Sequence, residues 1–255
     1  MFDWAAIVLG VIEGITEFLP ISSTGHLLIA EHWLGRRSDV FNVDIQAGAM
    51  LSVTIIYWPR LKALGCLRDR ETRMYLAKLV VSFATTSALG LLVKKLGVAL
   101  PETPGPVAWA LLIGGFRMVL AEWVASHRPP ALAVTWTVAI AVGIAQIVAG
   151  VFPGTSRSGA TIFAAMLFGT NDRRAATEFA FLVGIPTTYA ASAYQLFDGV
   201  WAHGVHVDWS DLAMGFLVSA FTAFAAVTWL LRYIQSHRYT AFAVYRIVVG
   251  AALLA

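Results

Sequence analysis

The chain reads as an all-α polytopic membrane protein, with six transmembrane helices plus two re-entrant helical hairpins in an inverted-topology repeat. Three observations predict this class. Of the 255 residues, 58% are hydrophobic and only 13% are charged, well below the charged share of a soluble domain. Long apolar runs recur from one end of the chain to the other instead of forming a single anchor. Two of these runs are broken in the same way, by a proline followed by a hydroxyl cluster. The net charge of +3 includes no basic block, so no nucleic acid is expected as a partner, and loop charge bias accounts for the excess. Cys66 is the single cysteine, which excludes an intrachain disulfide and a multi-cysteine metal site. No basic segment precedes the first apolar run and Glu13 interrupts it, so the N-terminus is expected to belong to the mature protein and not to a secretory signal.

Residues 4–19 have helical character but carry Glu13, Thr16 and Glu17, and Pro20 ends them. A helix of that length reaches roughly 24 Å, short of the hydrocarbon thickness. Ser22 and Ser23 then suit the N-cap of a second short helix, about 23–34, closed by Gly35. Two half-length helices hinged at a proline predict a re-entrant hairpin over about 4–34. Ordinary spans follow at about 41–58, 74–93, 106–125, 175–197, 211–234 and 240–255. Between the third and fourth lies the second broken segment, about 134–170, interrupted at Pro153-Gly154.

The two broken segments match at an offset of 133. Gly10 falls on Gly143, Glu13 on Gln146, Pro20 on Pro153, Ser22 on Thr155 and Ser23 on Ser156. This predicts one integral domain, 1–255, built from repeats of about 1–125 and 126–255. One hairpin plus three spans per repeat inserts the second repeat upside down. Such repeats place their site near the midplane, with half-helix N-termini pointing at it. With the N-terminus outside, eleven Lys and Arg fall on the inner side and four on the outer. The positive-inside rule therefore favours both termini outside, so the hairpins enter from opposite faces and their tips meet within the membrane.

Ionisable side chains at membrane depth are a functional-site hypothesis by default. Glu13 and Glu17 are spaced i,i+4 and share a helix face. A cation, an arginine or a shared proton must compensate them; the competing reading has one of them pairing with an arginine only to hold packing. Ser22, Ser23 and Thr24 open the second half-helix, where plain capping competes with a nucleophilic role. His26 follows Ser23 by three residues, a spacing at which an imidazole is expected to reach and activate the hydroxyl. The second tip, Pro153-Gly154-Thr155-Ser156-Arg157-Ser158-Gly159-Ala160-Thr161, joins glycines that permit close backbone approach to a helix N-terminus and a guanidinium fork. That combination suits phosphate, against the competing reading that Arg157 pairs only with Glu13 or Glu17. Gln46 and Gln146 are expected to make structural hydrogen bonds around the site, while Arg117 and Arg246 need partners that the sequence does not identify.

The stretch Glu13-x-x-x-Glu17-Phe18-Leu19-Pro20-Ile21-Ser22-Ser23-Thr24-Gly25-His26, together with Pro153 to Thr161, resembles the undecaprenyl-diphosphate phosphatase (bacitracin-resistance) family. Gln46-Ala47-Gly48, Phe179 to Leu182 with Ile185-Pro186, and Tyr245-Arg246-Ile247 extend the likeness over nearly the whole chain. It departs from the common pattern in a short 59–73 connection and at Gly150-Val151-Phe152. The family's six spans and two re-entrant hairpins agree with the plan above.

The resemblance implies hydrolysis of undecaprenyl diphosphate to undecaprenyl phosphate and inorganic phosphate. That reaction recycles the lipid carrier of cell-wall polymers and confers bacitracin resistance. On matching positions it implies Ser23, His26 and Glu17 as catalytic and Arg157, Ser156, Ser22, Thr161 and Gly154 as substrate-binding. A divalent cation, Mg²⁺ or Ca²⁺, would sit on Glu13 and Glu17. His26 as the nucleophile, with Ser23 binding phosphate, stays open at this point. The expected setting is the bacterial plasma membrane, among membrane lipids, with the site opening outward; a homodimer is compatible with it. The rival class is a polyprenyl-phosphate flippase or an ion-coupled carrier, for which the same Arg157 and glutamates bind without chemistry.

Overall fold

The computed structural model describes residues 3–67, 69–97, 104–128, 131 and 133–254. Among these every regular element is helical: α1 Trp4–Thr16, α2 Ser23–Leu34, α3 Asp39–Ile56, α4 Trp58–Leu64, α5 Arg70–Lys95, α6 Pro104–Ser126, α7 Trp136–Val151, α8 Arg157–Phe168, α9 Arg173–Leu196, α10 Trp209–Ser236 and α11 Thr240–Leu254. A π-helical turn, Phe197–Ala202, continues α9. Neither that turn nor α4 was expected from the sequence.

Four helices, α3, α5, α6 and α10, are long and apolar enough to cross a membrane. α9 is long but opens with Arg173, Arg174 and Glu178, and α11 is apolar but has 15 residues. Large apolar side chains stand exposed along the flanks, among them Trp109, Phe116, Leu120 and Trp123 on α6 and Phe221 and Phe224 on α10. Apolar surface of that extent belongs against lipid, and the chain is a multi-pass membrane protein.

The helix ends follow local chemistry. Asp3 caps α1 by accepting from the Ala5 N–H at 2.9 Å and pairs with Arg37. Those two interactions, the Arg37 bond first, hold the Asp3 carboxyl below the usual carboxylate range. α1 stops at Thr16, three residues short of the expected end. A proline at position 20 has no N–H to offer the Thr16 carbonyl, and its ring collides with that carbonyl in a continued helix. α2 runs over the expected residues, from the Ser22 cap to Gly35, whose φ of 92° suits glycine.

Small residues let these helices approach closely, as membrane interiors favour. α1 lies on α10 at Gly10 and Gly14, where an added Cβ would fall 2.7 Å from the Gly215 carbonyl and 2.5 Å from that of Ser219. α7 lies on α5 at Gly143, whose carbonyl accepts from Thr86 Oγ1 at 3.1 Å. α3 also packs on α10 and α9, and α6 on α11. The main core gathers Phe18 and Leu19 from the first break with Phe163, Phe179 and Phe181, so the first break is buried within the bundle.

Candidate functional site

Both breaks end in the same backbone device. Ser22 and Ser156 are the two non-glycine residues with positive φ among those described, 78° and 70°, a conformation costly for any residue with a side chain. Each caps the following helix through its hydroxyl. Ser22 Oγ accepts from the Gly25 N–H at 3.3 Å and Ser156 Oγ from the Gly159 N–H at 3.1 Å. The caps therefore correspond at an offset of 134, not at the 133 that aligns the prolines. One extra residue lies between Pro153 and its cap, and the slip makes Ser23, not Thr24, the counterpart of Arg157. These two are the first residues of α2 and α8.

Ser23 and Arg157 meet on one carboxylate. Ser23 Oγ donates to Glu17 Oε2 at 2.5 Å, and Arg157 Nη2 pairs with Glu17 Oε1. The same Nη2 donates to Gln46 Oε1 at 3.1 Å. Glu17 and Ser23 are each 6% exposed, so this contact operates away from bulk water, where a charge-assisted hydrogen bond is strongest. Arg157 Nε and Nη1 have no partner among the described residues and remain available as donors.

The expected contact between Ser23 and His26 is absent. The imidazole faces away from the hydroxyl: Nδ1 bonds the Ser22 carbonyl at 2.6 Å and Nε2 bonds Tyr245 Oη at 2.7 Å. The ring also stacks on Tyr245, centroids 5.7 Å apart. A carbonyl only accepts, so Nδ1 carries the proton in the neutral ring and the tyrosine hydroxyl donates to Nε2. The i,i+3 spacing was read as one helix face. Ser23, as the first helical residue, instead turns back across the break to α1.

The remaining predicted residues fall around this centre. Ser156 Oγ lies 3.1 Å from Ser158 Oγ, which donates to the Leu19 carbonyl at 3.2 Å and so ties the second tip to the first break. Thr161 is turned onto its own helix, donating to the Arg157 carbonyl at 2.8 Å. Gly154 has φ 92°, and a Cβ there would lie 2.8 Å from the Val107 carbonyl. A small cavity of about 20 Å³ is lined by Glu17, Arg157, Thr161, Gln146 and Phe181 among others. That is room for about one water. Gln146 Nε2 donates to Thr86 Oγ1 at 3.3 Å.

Glu13 is fully buried, and neither carboxylate oxygen has a hydrogen-bond donor among the described residues. It lies within electrostatic reach of Glu17 and Arg157. A fully buried carboxyl group without a donor has to be balanced by a proton or a cation. No group of three His, Cys, Asp or Glu side chains gathers among the described residues. Two hard carboxylates without a third protein ligand fit Mg²⁺ or Ca²⁺ completed by phosphate oxygens, and not a zinc cage.

Arg246, for which the sequence identifies no partner, finds its partners in the backbone. At 1% exposure it is the largest fully buried side chain among those described, and its five N–H groups meet five backbone carbonyls. Nε donates to Leu111 at 3.3 Å, Nη1 to Pro20 at 3.2 Å and Thr155 at 3.0 Å, and Nη2 to Ala110 at 3.0 Å and Gly154 at 2.8 Å. The available signal was arithmetic. Two helix breaks leave carbonyls without intrahelical donors, and a guanidinium in an apolar span carries five donors to satisfy them.

A protein-family model described as bacitracin resistance protein BacA matches residues 6–252. The chain is similar to an undecaprenyl-diphosphatase of Rhizobium etli, 65% identical over 251 residues that cover 98% of this chain and 95% of the relative. It is also similar to an undecaprenyl-diphosphatase of Xanthomonas oryzae pathovar oryzae, 57% identical over 252 residues with the same coverage. A third such relative, from Xanthomonas euvesicatoria, is 56% identical over 252 residues. With a match running through both breaks and nearly to each end, the chain belongs to the bacitracin resistance protein BacA family.

Proposed function

We propose that the chain hydrolyses undecaprenyl diphosphate to undecaprenyl phosphate and inorganic phosphate, returning the lipid carrier to cell-wall synthesis and conferring bacitracin resistance. The observation that carries the chemistry is the shared carboxylate of Glu17, with Ser23 Oγ at 2.5 Å on one oxygen and Arg157 on the other. It supplies a nucleophile, its base and a phosphate-binding cation at one point. A pure carrier needs no hydroxyl held on a base. The relatives named undecaprenyl-diphosphatase support the substrate.

In the proposed mechanism the polyprenyl tail lies in lipid and the diphosphate lies between the breaks. Arg157 Nε and Nη1 hold the phosphoryl oxygens and stabilise the charge that spreads over them in the transition state. Ser23 Oγ attacks the terminal phosphorus and Glu17 Oε2 takes its proton. The bridging P–O bond breaks with its electron pair on the departing lipid phosphate, to which Glu17 passes the proton. Water then attacks the phosphoserine; Glu17 takes a proton from it and returns that proton to Ser23 as phosphate leaves. The Ser156 cap and Gly154 bring backbone N–H groups of the second tip close to the anion. Thr161 steadies the first turn of α8, and Ser22 shapes the turn that aims Ser23. His26 orients the break in this scheme and does not activate the nucleophile. A divalent cation held by Glu13 and Glu17 would offset carboxylate–phosphate repulsion and polarise the phosphoryl group when bound.

The finer architecture belongs to the same reading: six spans plus two re-entrant hairpins, in inverted repeats of about 1–125 and 126–255. The exchange of partners supports it, since α1 packs on α10 as α7 packs on α5. So does the shared cap geometry of Ser22 and Ser156. The charge bias supports a plasma-membrane enzyme with both termini outside. An outward opening follows from the release of the carrier diphosphate at that face.

The test is phosphate release from a polyprenyl diphosphate by the purified protein in detergent. Release that is abolished by Ser23→Ala and by Arg157→Ala is expected. No release by the native protein, or release unchanged in both variants, would overturn the reading.

A further inference from the structure

The structure assigns Arg246 and Tyr245 of α11 as positioning residues that clamp the two strained serine caps, Ser156 and Ser22, and hold the halves of the site in register. The catalytic consequence rests on the hydrolase reading above; the clamp itself does not.

Arg246 has no acidic partner among the described residues, although it sits deep in the bundle. A guanidinium in that position is usually neutralised by an acid. Every N–H is spent instead on backbone, and the choice of backbone is informative. Three of the five acceptors, Pro20, Gly154 and Thr155, belong to the two breaks. The other two, Ala110 and Leu111, are carbonyls of α6, against which α11 packs. A single nitrogen, Nη1, bridges Pro20 of the first break and Thr155 of the second.

The Thr155 carbonyl is the one that precedes Ser156. In a trans peptide C=O and N–H point in opposite directions, so holding this carbonyl on Arg246 turns the Ser156 N–H away from α11. The same bond restrains the peptide that leads into the positive φ of Ser156. The neighbouring Tyr245 does the equivalent for the first break through His26. Its hydroxyl fixes Nε2, and Nδ1 then grips the Ser22 carbonyl. Strained residues persist only when their surroundings over-determine them. Two adjacent residues of α11 supply that restraint to both breaks.

α6 leaves room for the clamp with Gly114. A Cβ at this position would lie within 2.6 Å of Arg246 Cζ and overlap the guanidinium. Gly114→Ala therefore displaces the clamp while leaving every donor and acceptor in the chain. Arg246→Lys keeps the charge and removes the planar fork, because three donors on one nitrogen cannot reach five separated carbonyls.

The experiment measures hydrogen exchange by mass spectrometry on the full-length protein in detergent, alongside kcat and KM for phosphate release. Arg246→Lys and Gly114→Ala are expected to speed exchange about tenfold or more over residues 17–24 and 152–158, with α5 unchanged. In both variants kcat falls about tenfold or more while KM stays within about threefold, as for a lost transition-state geometry. Tyr245→Phe speeds exchange over 22–26 only. Unchanged exchange at both breaks in Gly114→Ala overturns the assignment, as does faster exchange spread evenly over all helices. Should Arg246→Lys fail to fold, Gly114→Ala and Tyr245→Phe still decide. Should the native protein release no phosphate, the hydrolase reading fails while the exchange pattern still judges the clamp.

Discussion

The two breaks share a backbone and divide the chemistry. Each ends a short helix before a proline, passes through a serine at positive φ and caps the next helix with that serine's hydroxyl on an N–H three residues on. What differs is the residue that the device presents. The first break delivers Ser23 and has Glu13 on the helix behind it and Glu17 at that helix's C-cap; the second delivers Arg157 and has Gln146 behind it. In the proposed mechanism the same fold element thus contributes nucleophile and base on one side and a phosphate-binding cation on the other. Their meeting on Glu17 makes one site of two tips. Position in the fold sets where a side chain arrives, and identity at one or two positions sets what it does there.

Ser23→Ala removes the nucleophile while leaving the Ser22 cap intact, so kcat is expected to fall about 10³-fold or more with folding preserved, read by phosphate release and thermal unfolding. Arg157→Lys keeps a positive charge without the fork and should cost about 10²-fold in kcat/KM in the same assay. Glu13→Gln makes the first break resemble the second. If Glu13 holds a cation, the variant loses about tenfold in activity and its dependence on added Mg²⁺ flattens in a metal titration. If Glu13 serves packing alone, both readouts stay at the native level. His26→Asn should cost less than Ser23→Ala by about tenfold or more, because the imidazole holds the break and does not touch the nucleophile.

The smallest effect lies far from the site. Asp3 has its carboxyl held below the usual range by Arg37 and the Ala5 N–H. A carboxylate with a depressed folded-state value stabilises the fold above its unfolded value and loses that contribution as pH falls through the folded one. Asp3→Asn is therefore expected to lower the thermal midpoint slightly at neutral pH and to make no difference in acid, below the carboxylate range.

Much of the fold was legible because helix ends obey local rules. Ser22 and Gly35 bracket α2 where capping chemistry puts them, and each long helix lies within a few residues of its apolar run. α1 ended early through the reach of Pro20 to the carbonyl four residues back, a rule available from the start. The pairing of Ser23 with His26 was misread because periodicity describes a helix interior, and Ser23 is the first residue after a sharp turn. Its direction is set by Ser22, whose positive φ no spacing reveals. The one-residue slip between the prolines and the caps was hidden for the same reason, since the longer second turn is visible only as backbone. Arg246 was conspicuous in sequence as an arginine in need of partners, but its partners are backbone carbonyls, which no residue type marks.

The most direct test of the central claim, a serine nucleophile on a glutamate base, is to trap the covalent intermediate. The protein is mixed with polyprenyl diphosphate labelled in the terminal phosphate, quenched within a single turnover and digested, and the label is mapped by mass spectrometry. Label on Ser23, absent from Ser23→Ala and reduced in Glu17→Gln, is the predicted result. Label on His26, or turnover by Ser23→Ala at the native rate, would contradict the account.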